Sequence, residues 1–401
     1  MMSTNLPPAL ILGILLTLGS IAGIFAEKIK FPRVVAYILV GALFSPDLLG
    51  ATFDLDTDNW SPLLTDIMLG IIAYIIGSEI NLKDLKKEEN TVIWAVLGQS
   101  LGVLAFVSLG LWLLPSVLNM HFTPGLYQAL VFGAVATATA PAAILGIIEE
   151  YKAKGEFTNT LLGIVAVDDG IGIIFFTLIL GMGGESGFGS SILEGLREVG
   201  GALLLGGSFG VGLGYIGNRF QQENLRLVTI IGFILAVFSL SQLFGFSMLL
   251  SCMSLGFISV LFYPKKQAEW LIPLEHIEEL VFVFFFTLAG IHFKLNIFLS
   301  SFSLVLLYII LRTSGKYTGA FAGLSIAGTD KKTRRLLGLC LFPQAGVAIG
   351  LAIRASNQPG FEEVGALLLN IILGSTILFE LVAPFVTRYA LKKAGEIKPS
   401  E

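Results

Sequence analysis

Leu161–Phe176 reads LLGIVAVDDGIGIIFF. Apart from Asp168 and Asp169, every position is apolar or glycine, and the apolar run extends over about 158–182. That length crosses a bilayer core as a helix, which needs about 20 residues. A carboxylate inside such a helix is costly and is a functional candidate by default. One stretch therefore sets two expectations, a membrane-spanning helix and an acidic pair at its middle.

The same texture fills the chain. Of 401 residues, 55% are hydrophobic and only 13% charged, about half the charge of an ordinary soluble domain. A soluble fold of this length is excluded, because its surface needs more charge. A net charge of −4 without a long basic run argues against nucleic acid. Cys252 and Cys340 both lie in apolar segments and form no disulfide framework or metal motif. The 46 glycines suit close helix packing in a bilayer. Pro7–Ala26 follows no positive segment and precedes no small-residue cleavage site, so it reads as a retained span.

Apolar runs between polar breaks predict an all-α membrane protein with thirteen spans. They cover about 7–26, 33–46, 61–78, 91–114, 125–148, 158–182, 191–218, 226–243, 246–262, 271–290, 299–326, 334–354 and 363–390. The break between the eighth and ninth is weak, and twelve is the alternative count. With thirteen, alternate connections and the C-terminal tail hold 20 of the 25 Lys and Arg residues. The opposite side holds only Arg197, Lys294 and Arg354, and Arg312 and Lys316 lie inside a span. This bias sets the N-terminus outside and the C-terminus in the cytoplasm.

Two weak internal matches share an offset of about 213–215 residues. Val34–Phe44 resembles Ser247–Phe257, with Gly41 over Gly256, and Gly77–Leu85 resembles Gly290–Phe298. They predict repeats of about 7–182 and 226–390, a connector of about 191–218, and a short tail, 391–401. An odd connector gives the repeats opposite topology, an architecture that places a transport site at the midplane.

The chemistry concentrates in few residues. Asp168 and Asp169 lie about 16 Å deep by helix rise. Two such anions cannot both stay charged without a partner, which suits a site where a proton and a metal cation compete. The plainer alternative is a permanently protonated structural pair. Lys316, in the eleventh span, lies about 15 Å deep and is the natural partner of Asp168, with Arg312 one turn away as second choice. Both also suit a purely structural tie between helices. The fifth span contains Thr137, Thr139 and Pro141, and the twelfth contains Pro343, Gln344 and Gly346. Mid-span proline breaks a helix and frees carbonyls, tolerated where they line a cavity or meet ions. Thr137 and Thr139 then complete an oxygen shell for a hard monovalent cation. Glu79, where the third helix meets the cytoplasm, reads first as a solvated end. Glu380, deeper in the last span, reads as structural or as partner to a helix terminus. The cluster Glu275–Glu279 around His276 reads as a solvated helix start. With no nucleotide-binding or metalloprotease motif, and no cofactor implied, coupling falls to an ion gradient.

Taken together, VDDG, TATAPA, FPQAG, YIIGSEINLKDL, FFFTLAGIHFKL, the glycines around Lys316 and ELVAP resemble the monovalent cation:proton antiporter-2 family over nearly the whole chain. The resemblance implies thirteen helices in a six-helix core domain and a dimerisation domain, with two discontinuous helices crossing near the aspartates. It implies a homodimer in a bacterial inner membrane and elevator-like movement of the core. By it Asp169 is the chief Na+ and proton ligand, and Asp168 pairs with Lys316. The Asp–Asp–Lys set is similar to the electrogenic sodium/proton subgroup. Gln344-Ala345 departs from relatives with an acidic residue after the twelfth-helix proline. The expectation is a Na+(Li+)/H+ antiporter, not an enzyme. Rival readings are a K+/H+ antiporter, a sodium-coupled organic-anion symporter, and an intramembrane aspartyl protease. The protease needs two aspartates facing each other from separate helices.

Overall fold

A computed structural model describes residues 7–397 apart from 30, 51–59, 81–88, 119–122, 141–143, 146, 149–150, 183–187, 218, 220–221 and 262–266. The described residues contain no strand. The helices are α1 (Pro8–Lys28), α2 (Arg33–Leu43), α3 (Ser61–Glu79), α4 (Glu89–Val117), α5 (Leu126–Val135), α6 (Glu156–Gly181), α7 (Phe188–Gly217) and α8 (Glu223–Phe244). They continue as α9 (Met248–Leu261), α10 (Gln267–Ile291), α11 (Leu295–Ser300), α12 (Phe302–Ile326), α13 (Lys331–Leu336), a 3-10 helix (Leu337–Leu341), α14 (Gly346–Ser356) and α15 (Gly365–Ala394).

Each expected apolar run overlaps at least one described helix. Among the described residues, seven helices are long and apolar enough to cross a membrane. The number is eight if Lys331–Leu341 and Gly346–Ser356, bent by 53°, form one span. The remaining helices are shorter or more polar. The chain is a multi-pass membrane protein. The weak break between the eighth and ninth runs is a glycine cap: Gly245 has φ 67°, and Phe246 N–H donates to Ser241 O at 2.8 Å.

The chain folds as two compact units, each drawn from both halves of the sequence. The first comprises residues 1–80 and 180–294, hence α1–α3 and α7–α10. Glycines set its closest crossings. A Cβ on Gly41 of α2 would run into Thr287 O and Gly290 of α10, and one on Gly290 into Ile38 O and Gly41. The crossing of α3 and α9 repeats this, with Gly77 on Met253 O and Gly256 on Tyr74 O.

The second unit comprises residues 81–179 and 295–401, hence α4–α6 and α11–α15. Here Gly98 and Gly102 of α4 face Gly315, Gly319 and Gly323 of α12. The four-residue spacing puts each set on one face, and a Cβ on Gly98 or Gly319 would strike the other helix's backbone. Small residues are what let two helices approach this closely in a bilayer. The crossing carries Gln99 and Ser100 of α4 and Arg312 and Lys316 of α12 into the same interior.

Candidate functional site

Asp168, Asp169, Arg312 and Lys316 are all fully buried in the second unit. Lys316 Nζ lies 2.9 Å from Asp168 Oδ2. It also donates to Thr139 Oγ1 at 2.6 Å and to Thr137 O at 2.5 Å. An ammonium has three protons, and these three acceptors match them. The Thr139 hydroxyl donates to Asp168 Oδ2, and the Gln99 amide donates to Asp168 Oδ1. Ser100 Oγ stands 3.4 Å from that same oxygen. Asp168 is thus held by α4, α12 and the segment after α5.

Asp169 follows on α6 about 100° further round the helix, so it presents a second carboxylate to a different side. One turn on, Gly172 lies directly against Thr137. The Thr137 hydroxyl itself donates to Ala134 O at 2.6 Å. The two threonines therefore divide: Thr139 offers its hydroxyl to the site and Thr137 its carbonyl.

Both broken helices meet here. α5 ends at Val135, and the 3-10 helix ends at Leu341. Ala140 N–H donates to Pro343 O at 3.1 Å, joining the two extended breaks. Arg312 binds both. Nε donates to Ala136 O at 3.0 Å, Nη2 to Ala138 O at 2.7 Å and Pro343 O at 3.3 Å, and Nη1 to Phe342 O at 2.6 Å. These are carbonyls that the preceding helices leave unpaired, at the negative ends of their dipoles. A permanently charged fork of five donors fits that task, whereas Lys does not. The guanidinium also lies 4.7 Å over the Phe379 ring of α15. Arg312, expected as second partner for an aspartate, serves the carbonyls instead.

Gln344 sits in the second break, fully buried, with Nε2 donating to Tyr308 OH at 2.9 Å. Gly346 begins α14. Pro141 lies outside the described residues. Glu79 ends α3 in the first unit, and its side chain lies outside the described residues. Glu380 is 5% exposed on α15, and its Oε1 has no hydrogen-bond partner among the described residues. No group of three or more His, Cys, Asp or Glu that could hold a metal ion occurs among the described residues. Sequence reasoning missed Gln99, Ser100 and Tyr308. The signal for the first two was present as a polar pair between Gly98 and Gly102 in the fourth span.

The family model described as "Sodium/hydrogen exchanger, transmembrane" matches residues 13–393. The chain is 22% identical, over 90% of its length and 91% of the relative's, to a probable Na(+)/H(+) antiporter 3 of Methanocaldococcus jannaschii. It is 23% identical, over 95% of both chains, to the ammonium/H(+) antiporter subunit AmhT of Alkalihalophilus pseudofirmus. A solved structure of the sodium proton antiporter MjNhaP1 from Methanocaldococcus jannaschii shares the fold. Its TM-score is 0.73 at 22% identity, covering 95% of this chain and 98% of that one. The helices that bury an aspartate–lysine pair between two broken spans therefore lie within a match spanning nearly the whole sequence, and the chain belongs to the transmembrane sodium/hydrogen exchanger family.

Proposed function

We propose that the protein exchanges Na+ or Li+ for protons across the membrane, with both competing for Asp169 beside the Asp168–Lys316 pair. One observation carries this reading: a fully buried Lys316–Asp168 contact of 2.9 Å with a second buried carboxylate next in sequence. Charge counting gives the chemistry. Asp168 and Lys316 neutralise each other, and Arg312 answers the carbonyl ends of the two broken helices. Asp168, Asp169, Arg312 and Lys316 sum to zero, and Asp169 is the carboxylate at which a proton and a monovalent cation compete. A buried site tolerates little net charge, so an arriving cation displaces a proton, and either occupant permits passage. A lysine that releases its proton when the metal ion arrives would add a second proton per turnover and make the exchange electrogenic.

The remaining architecture is part of the proposal: thirteen spans, two inverted repeats, a homodimer, and movement of the site-bearing unit. Two observations support it. Apart from Glu79, the candidate site residues that the structure describes belong to the second unit. The glycine crossings Gly41–Gly290 and Gly77–Gly256 also exchange under the alignment that sets Gly41 on Gly256 and Gly77 on Gly290. A second reading, exchange of K+ or another monovalent cation, draws on the similarity to an ammonium/H(+) antiporter subunit. Proton flux in proteoliposomes challenged in turn with Na+, Li+, K+ and NH4+ tests both. A response to Na+ and Li+ supports the first reading, and a response confined to K+ or NH4+ overturns it in favour of the second.

A further inference from the structure

α15 carries a column of buried polar atoms that the exchange site does not use. Thr376, Glu380 and Thr387 are 0%, 5% and 1% exposed. Their spacing of four and then seven residues puts them within about 40° of one another on one helix face. Thr376 Oγ1, Glu380 Oε1 and Thr387 Oγ1 all lack a hydrogen-bond partner among the described residues. Between Glu380 and Thr387 that face carries Ala383, which is buried, and Pro384. Pro384 adds a fourth polar atom. Having no N–H, it leaves the Glu380 carbonyl without its helical donor. Buried polar groups are satisfied in native proteins, and where protein supplies no partner, water or an ion does.

Distance decides which. Thr387 stands about 10 Å along the helix from Glu380, and Thr376 about 6 Å on the other side. Oxygens so far apart cannot share one metal ion, whose ligands lie near 2.4 Å. They can be bridged by a file of waters. Among the described residues, no ion pair includes Glu380. The charged residues on elements packed against α15 include Arg312 and Lys316 on α12, Lys331, Lys332, Arg334 and Arg335 on α13, Arg354 on α14, and Glu156, Asp168 and Asp169 on α6.

The column has two defined ends. The end of α15 adjoins the start of α6, because Glu396 accepts from Phe157 N–H and Thr158 N–H at 2.9 and 2.8 Å. Measured from there, Glu380 lies about 21 Å in and Asp168 about 18 Å, a difference of about 3 Å along the helices. At the inner end, Ser375 Oγ stands 3.5 Å from Gln344 Oε1, and Gln344 sits in the broken helix that Arg312 holds.

We propose that Thr387, Glu380 and Thr376 line a hydrated proton path, with Glu380 as its relay, from the Lys392–Lys393 end of α15 to the depth of the aspartate pair. The path rests on the exchange reading for its purpose, but its hydration does not. Two measurements on the full-length protein test it. In infrared difference spectra, the carboxyl band missing from Glu380→Gln should shift when the wild type is moved into D2O. A band that stays put, or no such band, overturns the path whatever the protein transports. In proteoliposomes, Glu380→Gln should lower the turnover of cation-driven proton flux about a hundredfold, leave the KM for Na+ unchanged, and be partly rescued by a small weak acid such as azide. Unchanged turnover, or a raised KM for Na+, overturns it. So does a loss that azide does not relieve. Should Glu380→Gln fail to fold, Thr387→Val is expected to show the same rescue, and its absence overturns the path. A wild type without cation-driven flux would instead refute the exchange reading, and the D2O shift alone would then decide whether the column is hydrated.

Discussion

Asp168 and Lys316 are both without solvent contact and meet at 2.9 Å. Removing one partner of a buried pair leaves an uncompensated charge and costs about 3–5 kcal/mol. Lys316→Met should therefore lower the melting temperature of the detergent-solubilised protein sharply, while adding Asp168→Asn should restore much of the loss. A double variant no more stable than the single one would count against the pair. Asp169→Asn should fold normally and abolish Na+-driven proton flux, because it removes the carboxylate at which cation and proton compete while leaving the Asp168–Lys316 contact in place. Normal flux in that variant would sink the site assignment. The depth of Lys316 relative to Asp168 was legible from residue counts along two apolar runs. The task of Arg312 was not. Its acceptors are backbone carbonyls of the two breaks, and a sequence does not say which carbonyls a break will aim at which side chain.

Helices in a bilayer are held by shape, and here glycine supplies the shape. Gly319 lies against Gly98 O, so Gly319→Leu forces α4 and α12 apart and separates Gln99 and Ser100 from Asp168. Overpacking of this kind costs about 1–3 kcal/mol. The variant should elute as an unstable or aggregated species in size-exclusion chromatography. Gly232 of α8 has open space where a Cβ would stand, and Gly232→Ala should instead stabilise by about 0.5–1 kcal/mol through helix entropy. Equal effects at the two positions would refute the packing argument. The start of α6 is fixed from the tail. Glu396 accepts from two N–H groups and from the Thr158 hydroxyl at 2.6 Å. A carboxylate at a helix N-terminus is worth about 1–2 kcal/mol, and Glu396→Ala should lower the melting temperature accordingly. The tail's few charges gave no hint of this, since capping from 239 residues away is a tertiary contact.

Across the whole chain, the bias of 20 cationic residues to 3 makes a topological prediction. With Cys252 and Cys340 replaced by alanine, a single cysteine introduced after Lys392 should react with an impermeant thiol reagent only from the cytoplasmic side. One introduced at Lys294 should react only from the outside. Labelling of both from one side would break the thirteen-span count. The division into two units was not readable from the repeats. The repeats divide the sequence in two halves, whereas each unit takes helices from both.

Composition alone decided that this chain lives in a membrane, because too little charge is present to cover a soluble surface. Apolar length decided where its helices run, since the bilayer fixes how long a helix must be. The expense of charge in hydrocarbon reduced the chemistry to Asp168, Asp169, Arg312 and Lys316. Which of these meet, which carbonyls take the guanidinium, and which polar atoms on α15 are left without a partner among the described residues were decided only by the tertiary structure. Those contacts join segments far apart in sequence, and their partners depend on how closely glycine-faced helices approach and on where the segments around Ala140 and Pro343 meet.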